Sequence, residues 1–359
     1  MSFPGSGSEN LLCPEGAGIT GNCSNFQDSE IGGRSSSSAY PKVYVKVPAS
    51  TANLGPGFDA LGMALNVYSW IEMGIADKTE IQLYGDQMNG VPTDKSNLVY
   101  EVAQQLFAKA GVSHPELFIA MYSDCPLTRG LGSSASAIIG ALVAANALIG
   151  NKLSSYELFQ MASALEKHPD NVGASLFGGL VVAFWDGERA EHIRVVPDDN
   201  LDVLVAIPRF QLATEKARNV LPQQVAMKDA VFNIGHSSLL VAAFCTGRYD
   251  MIRLAMKDAL HQPYRAALVP GMSDILAQAE HHGALGVALS GAGPTLLALL
   301  DKKEGRGAEL ERFMLDTLQG HGIEADTMRL KPSADGATVL THFDPSLSLI
   351  DNIKSKAQV

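Results

Sequence analysis

One segment constrains this chain more than any other. Residues 126–137 read Pro126-Leu127-Thr128-Arg129-Gly130-Leu131-Gly132-Ser133-Ser134-Ala135-Ser136-Ala137. Two glycines permit a tight turn and a close backbone approach. The serines and small residues after them open an Ala-rich helix predicted over residues 132–148. The first amides of a helix have no intrahelical partner, and together with the positive end of its dipole they form an anion site. Ser hydroxyls beside them can bind phosphate oxygens or a magnesium ion. A bare Gly-x-Gly is more often a plain helix cap, so the loop alone is weak support for a phosphate site.

Familiar phosphate-loop signatures are absent. The loop has no Gly-x-x-x-x-Gly-Lys-Ser/Thr, so no loop lysine reaches a phosphate. His-Arg-Asp and Asp-Phe-Gly are missing. A third glycine at dinucleotide-fold spacing is lacking, and residues 126–128 do not read as a preceding strand. The apolar stretch over 135–149 is interrupted by Ser136, Gly140 and Asn146. It also falls short of the roughly 18 residues that span a bilayer, so it reads as a buried helix and no membrane partner is expected.

Two further loops share this character. Pro48-Ala49-Ser50-Thr51-Ala52-Asn53-Leu54-Gly55-Pro56-Gly57-Phe58-Asp59 follows a strand pattern in which Val43, Val45 and Val47 alternate with Lys42, Tyr44 and Lys46. Ser290-Gly291-Ala292-Gly293-Pro294-Thr295 lies between two apolar runs. Taken singly, these read as an Asn/Asp turn and a glycine hairpin. In this order, the three loops resemble the three motifs of the GHMP kinase family across residues 42–344. Other segments resemble its homoserine kinase members: Asn97-Leu98-Val99, His168-Pro169-Asp170-Asn171 with Gly178-Gly179 after it, Thr214-Glu215-Lys216-Ala217-Arg218 with Leu221-Pro222, and His261-Gln262-Pro263-Tyr264-Arg265.

The resemblance implies an α+β fold of two domains. The N-terminal one would resemble ribosomal protein S5 domain 2, the C-terminal one would be ferredoxin-like, and the site would lie between them. It implies transfer of a phosphoryl group from ATP, with Mg2+, to the hydroxyl of L-homoserine, giving O-phospho-L-homoserine and ADP in threonine biosynthesis. Homodimers are common in such a family. ATP would meet Asn97 at adenine, Thr214, and the whole loop of Pro126, Leu127, Thr128, Arg129, Gly130, Leu131, Gly132, Ser133, Ser134, Ala135 and Ser136. Ser134 and Glu166 would hold Mg2+, with Glu157 the weaker choice for the carboxylate. Asn53, Asp59, His168, Asn171, Arg218 and Arg265 would bind the amino-acid substrate, and Asp59, Asn171 and Arg218 would act in catalysis.

Chemistry supports these residue types. A guanidinium clamps a carboxylate with two hydrogen bonds. An isolated arginine would otherwise be a surface ion pair worth under about 1 kcal/mol. Asn171 is an amide and cannot be a base. Asp59 has two open readings: a base, or a positioning group while the hydroxyl proton leaves late towards the phosphate. Two rivals remain: a GHMP kinase for another alcohol, of mevalonate or shikimate type, and a ligand-binding sensor that no longer catalyses.

Charge and composition bound the partners. Lys plus Arg is 27 against 38 Asp plus Glu, a net charge of −11. That argues against nucleic acid, which needs clustered cations, but not against a small anion held locally. Cys13, Cys23, Cys125 and Cys245 are too few and scattered for a disulfide framework or zinc ribbon, which points to the reducing cytoplasm. Cys125 is expected to be buried beside the phosphate loop. Sixteen of the first 40 residues are Ser or Gly without any period, so residues 1–40 read as a flexible head. Residues 41–207 then form the N-terminal ATP-binding domain, 208–346 the C-terminal domain and 347–359 a tail. Ser96 is the expected cap of one helix, and Ser154 with Glu157 forms a capping box for another. Strands are expected over 180–184, 201–207, 286–289, 296–300, 324–330 and 338–342. Further helices are expected over 237–244, 249–260, 273–281 and 308–318.

Overall fold

The computed structural model describes residues 41–344 and 346–356. The Ser/Gly-rich head, with Cys13 and Cys23, lies outside the described residues. β1 (Lys42–Asn53) starts where the valine alternation predicts and pairs antiparallel with β2 (Gly57–Ala76). β2 has 20 residues and takes two further partners in succession. β3 (Glu80–Tyr84) runs parallel to β4 (Glu116–Ser123), which lies along the second half of β2. β5 (Leu180–Trp185) lies along its first half, and β6 (Ala190–Val195) extends β5.

Four helices build a core on this sheet. They are α1 (Leu98–Lys109), α2 (Ser133–Leu148), α3 (Ser155–Glu166) and α4 (Asp170–Phe177). Val45, Val47, Ile71 and Ile119 from the strands pack with Leu106, Phe107, Ile139, Leu142, Phe159 and Val172 from the helices. α2 buries residues on all sides, as its small, apolar composition requires. Its one buried amide, Asn146, is satisfied by both backbone groups of Leu153. The Ser154–Glu157 capping box forms. α1, however, is capped by Asn97 rather than Ser96. The Ser96 hydroxyl bonds to Asp94, leaving the Asn97 side-chain oxygen to accept from Val99 N–H at 2.9 Å.

A second sheet follows. β7 (Leu201–Pro208) leads into α5 (Thr214–Asn219), α6 (Met227–Thr246), α7 (Ile252–Ala255), α8 (Gln262–Arg265) and α9 (Met272–Gln278). β8 (Gly286–Leu289), β9 (Leu296–Asp301), α10 (Gly307–Gly320) and β10 (Ala325–Leu330) complete it. The strands are antiparallel in the order β10-β7-β9-β8, the ferredoxin-like arrangement of a β-α-β-β-α-β unit. Because β7 belongs to this sheet, we place the domain break before Leu201 instead of after Ile207.

β7 is apolar on both faces. Leu204 and Ala206 pack towards the core of α9 and α10. Val203, Val205 and Ile207 join a different core that also holds Ala49, Leu54, Leu61, Met63 and Leu65 of the first sheet and its loop. This shared apolar seam fixes one sheet against the other, and the candidate site lies at its edge. The helical pattern expected over 249–260 breaks after the four residues of α7. There the Asp258 carboxylate accepts N–H bonds from Leu260, His261 and Gln262, a local alternative to helix that short acidic side chains offer. β11 (Thr338–Val339) returns to pair with β1, far shorter than expected over 338–342. α11 (Leu349–Lys356) occupies most of the expected tail and buries Leu349 against Tyr44 and Ala120.

Candidate active site

The three loops singled out in the sequence are hydrogen-bonded to one another. Ser50 N–H donates to Leu131 O at 3.2 Å, Gly291 N–H to Ala52 O at 3.1 Å, and Thr295 N–H to Arg129 O at 3.2 Å. Asn53 joins two of them: its side-chain N–H donates to Gly291 O at 2.8 Å, and its side-chain oxygen accepts from Asp59 N–H at 3.0 Å. The Ser290 hydroxyl bridges Thr51 Oγ1 at 2.9 Å and the Gly130 carbonyl at 2.5 Å. These approaches explain the two loop glycines. Gly130 has φ of +87° and a Cβ there would lie 2.4 Å from Ser290 O. At Gly132, with φ of +67°, a Cβ would lie 2.2 Å from Ser50 Oγ.

Gly132 is the N-cap of α2 and no side chain caps the helix. Its first amides are thus left for an anion. Cavities open on both sides of the loop. One, of about 150 Å³, is lined by Asp59, Ser134, Glu166, His168, Arg218 and Arg265 among others. The other, of about 220 Å³, is walled by Met88, Val91, Pro92, Val99, Met121 and Ala137 among others. Thr128, Ser133 and Ser134 border both.

The polar cavity collects charge from distant parts of the chain. Both Arg218 terminal nitrogens donate to Asp59, at 3.0 and 2.8 Å. That hydrogen bond, opposed by burial and aided by the Asp59 charge, raises the Arg218 pKa. Arg265 is only 1% exposed. Its Nε donates to Ala217 O at 3.0 Å, and Nη1 donates to Gly291 O at 3.1 Å. Burial, with the Arg218 charge, pulls its pKa down to about 10. His168 lies 2.6 Å from Asp170 and 3.5 Å from Glu166. Burial alone would lower its pKa, but the Asp170 hydrogen bond and the charges of Asp170, Glu166 and Asp59 lift it to about 8. Asp59, His168 and Asp170 have ligand atoms within 4.8 Å of one another. Arg218 holds both oxygens of Asp59 and His168 carries a raised pKa, so cations of the protein itself balance that cluster.

Across the loop, the Ser134 hydroxyl donates to Glu166 at 2.5 Å. Glu157 sits at the other end of α3, spent in the capping box. Asn171 donates to Ser50 Oγ at 3.0 Å. Cys125 is fully buried, its sulfur 3.6 Å from Leu131 O, and burial beside Asp124 pushes the thiol up to about 12.

Residues 97–179 match the family model for the GHMP kinases N terminal domain, and residues 240–318 that for GHMP kinases C terminal. The homoserine kinase of Carboxydothermus hydrogenoformans is 42% identical over 302 residues, covering 84% of this chain and 98% of that one. That of Moorella thermoacetica is 42% identical over 296 residues, covering 82% and 99%. The chain belongs to the homoserine kinases of the GHMP kinase family. A crystal structure of homoserine kinase from Cytophaga hutchinsonii superposes with a TM-score of 0.76 at 28% identity, covering 86% of this chain and all of that one. The mevalonate kinase of Methanococcus jannaschii shares the fold, with a TM-score of 0.59 at 15% identity over 83% and 99% of the chains.

Among the residues that the homoserine kinase motifs suggested, Asn53, Asp59, His168, Asn171, Arg218 and Arg265 all line the polar cavity, as do Thr214, Gly130, Gly132 and Ala135. Leu127 lines the apolar one. Asn97 lines it too, but its amide is occupied by Val99 N–H and Pro92 O. Pro126, Arg129, Leu131 and Ser136 line neither cavity. Arg129 donates to the carbonyl of Pro208, Leu131 is buried in the shared core, and Ser136 bonds to Ser133 O. The side chains of Arg129, Leu131 and Ser136 are thus engaged within the protein, whereas Thr128, Ser133 and Ser134 face the cavities. Sequence reasoning missed Ser50, Ser290 and His261 as ties between loops, and the apolar wall of Met88, Val91, Pro92 and Met121. Only their place as polar residues in loops rich in Gly and Pro hinted at the first two.

Proposed function

We propose that this chain transfers the γ-phosphoryl group of ATP to the side-chain hydroxyl of L-homoserine, giving O-phospho-L-homoserine and ADP for threonine biosynthesis. One observation carries the reading beyond family membership. Arg218, Arg265 and Asp59 converge in a polar cavity that opens onto the uncapped N-terminus of α2. An amino acid with a hydroxyl side chain needs that set. Arg265 has a terminal nitrogen, Nη2, with no hydrogen bond among the described residues, and with Arg218 it takes the α-carboxylate. Asp59 takes the α-ammonium. The apolar cavity receives the adenine ring, and the α2 amides receive the phosphates.

The Ser134 hydroxyl and Glu166 carboxylate are hard oxygen donors side by side at that helix start, and they fit Mg2+. An ion held there neutralises phosphate charge. In the transfer, the substrate oxygen bonds to the γ-phosphorus and the bond to the β,γ-bridging oxygen breaks. Both Asp59 oxygens accept from Arg218, which favours a positioning role over that of a base. The hydroxyl proton then leaves late, towards the phosphate. Asn171 holds Ser50 against the loop and acts through it. A homodimer and a cytoplasmic location belong to the same proposal. Among the described residues, no helix is long and apolar enough to cross a membrane.

ADP release with magnesium and ATP, measured against L-homoserine, mevalonate, shikimate and other alcohols, tests the reading. Turnover of L-homoserine above all others is expected. Turnover of another alcohol in its place overturns the reading, and binding without any turnover supports a sensor.

A further inference from the structure

Behind Arg265 lies a side chain that none of the roles above uses. His261 is fully buried and precedes α8. Its Nε2 lies 2.8 Å from Gly55 O, in the turn between β1 and β2. A carbonyl only accepts, so Nε2 carries the proton. Its Nδ1 lies 3.2 Å from Arg265 Nη1, and a guanidinium only donates. The partners therefore fix one neutral tautomer, with Nδ1 as acceptor. The ring also stacks on Phe58, at 5.1 Å between centroids and 26° between planes. The Arg218 and Arg265 guanidinium carbons lie 5.6 and 5.3 Å from the centre of that same Phe58 ring. Asp258, which Asn233 of α6 bonds at 2.8 Å, fixes the His261 backbone through its N–H at 3.0 Å.

We infer that His261 is a positioning residue: it ties the first motif turn to Arg265 and sets the guanidinium that receives the substrate carboxylate. Three of the five Arg265 N–H groups are spent, on Ala217 O, Gly291 O and His261 Nδ1. The two on Nη2 remain, at an orientation the other three dictate. Without His261, the Nη1 end of the fork loses one of its two anchors, and the first and third loops lose a shared strut. This rests on the reading of Arg265 as the carboxylate clamp.

The variant His261→Phe keeps a ring on Phe58 and removes both hydrogen bonds. Its KM for L-homoserine should rise about 10- to 100-fold, the cost of losing a hydrogen bond to a charged group, with the KM for ATP within about twofold. Homoserinol, which lacks the carboxylate, should keep its wild-type kcat/KM. Equal losses for homoserine and homoserinol, or an unmoved homoserine KM, overturn the inference. A second measurement needs no altered protein to fold: ¹⁵N spectra of histidine-labelled wild-type chain, with the His261 ring assigned by its NOE contacts to the stacked Phe58 ring. They should show one imidazole with an unprotonated Nδ1 and a protonated Nε2 across neutral pH. A protonated Nδ1 overturns the inference. A wild-type chain that shows this tautomer but does not turn over homoserine sinks the functional reading and leaves the histidine geometry standing.

Discussion

The two sides of the phosphate loop are built on opposite principles. The apolar side draws on three stretches of the N-terminal half, Ser69 to Ile71, Met88 to Val99 and Met121 to Ala137, all within the first sheet, its loops and its helices. Among the described residues, nothing charged stands in its wall. The polar side gathers Asp59, Glu166, His168, Arg218 and Arg265, from both halves of the chain. It is held by hydrogen bonds that cross between the loops. A flat heterocycle needs only a slot, which one domain can supply. A zwitterion needs opposite charges at set distances, which takes two domains meeting at a rigid seam. The sides should therefore fail separately when altered, except where they share the loop.

Gly130 is where they share it, and its replacement should have the largest effect. In Gly130→Ala, the added carbon meets the backbone oxygens of Ser290 and Gly293 at 2.4 and 3.0 Å. Neither can rotate away, and φ is already +87°. Loss of about 3 kcal/mol or more of stability is expected, with both substrates' binding lost. Chemical denaturation and turnover assays check this. Near-normal turnover would show that the third loop can move aside.

Arg218→Ala should separate the sides. It removes the bidentate partner of Asp59, and because the pair is about a third exposed, the fold itself should lose only about 1 kcal/mol. The homoserine kcat/KM should fall about 100-fold or more, while the KM for ATP stays put. Arg218→Lys keeps the charge but not the fork and should fall between. A matching rise in the KM for ATP would mean that the cavities are coupled.

Much of this contrast was readable from the chain alone. Gly130, Gly132 and the serines after them announce a turn and a helix start through local chemistry. The alternation over residues 42–47 and the capping box at Ser154 also act within a few residues. Arg218 and Arg265 are different, since their meaning depends on Asp59 and Gly291, far away in sequence. Only a family resemblance brought them together beforehand. Leu131 and Ser136 share a motif with residues that face the cavities, and the sequence does not show that their own side chains are buried, Leu131 in the shared core and Ser136 on the inner face of α2. The apolar wall could not be separated from ordinary core, because Met88 and Met121 look the same in either. β7 fell on the wrong side of the domain break because a strand buried on both faces does not show which sheet it joins.

His168 offers a smaller, pH-dependent way to test the polar side. Its folded pKa of about 8 lies above the ordinary 6.5. A raised pKa stabilises the fold fully below about 6.5, and that contribution is lost as the pH rises through about 8. The shift is worth at most about 2 kcal/mol. Melting temperature should therefore fall between pH 6.5 and 8.5 in the wild-type chain, and fall less in His168→Asn. Parallel curves for the two would show that His168 is neutral in the folded chain and that Asp59 and Asp170 are balanced by Arg218 alone.

The apolar side can be tested with one methyl-rich side chain. Ala137 stands on the first turns of α2, half-buried, with its face to the slot beside Val99 and Met121. Ala137→Leu adds volume there without adding charge and without touching Arg218, Arg265 or Asp59. If the slot holds adenine, the KM for ATP should rise about tenfold, equivalent to about 1.4 kcal/mol, and the homoserine KM should hardly move. An increase in the homoserine KM alone would place the amino acid on the wrong side of the loop in our reading. An unchanged KM for ATP would mean that the base lies elsewhere, and the slot would then be spare room in the core. Because the substitution is conservative and local, a small effect confined to one substrate is more informative than a large one. It shows that the loop insulates the two cavities, which the contrast between a domestic slot and an inter-domain charge set requires.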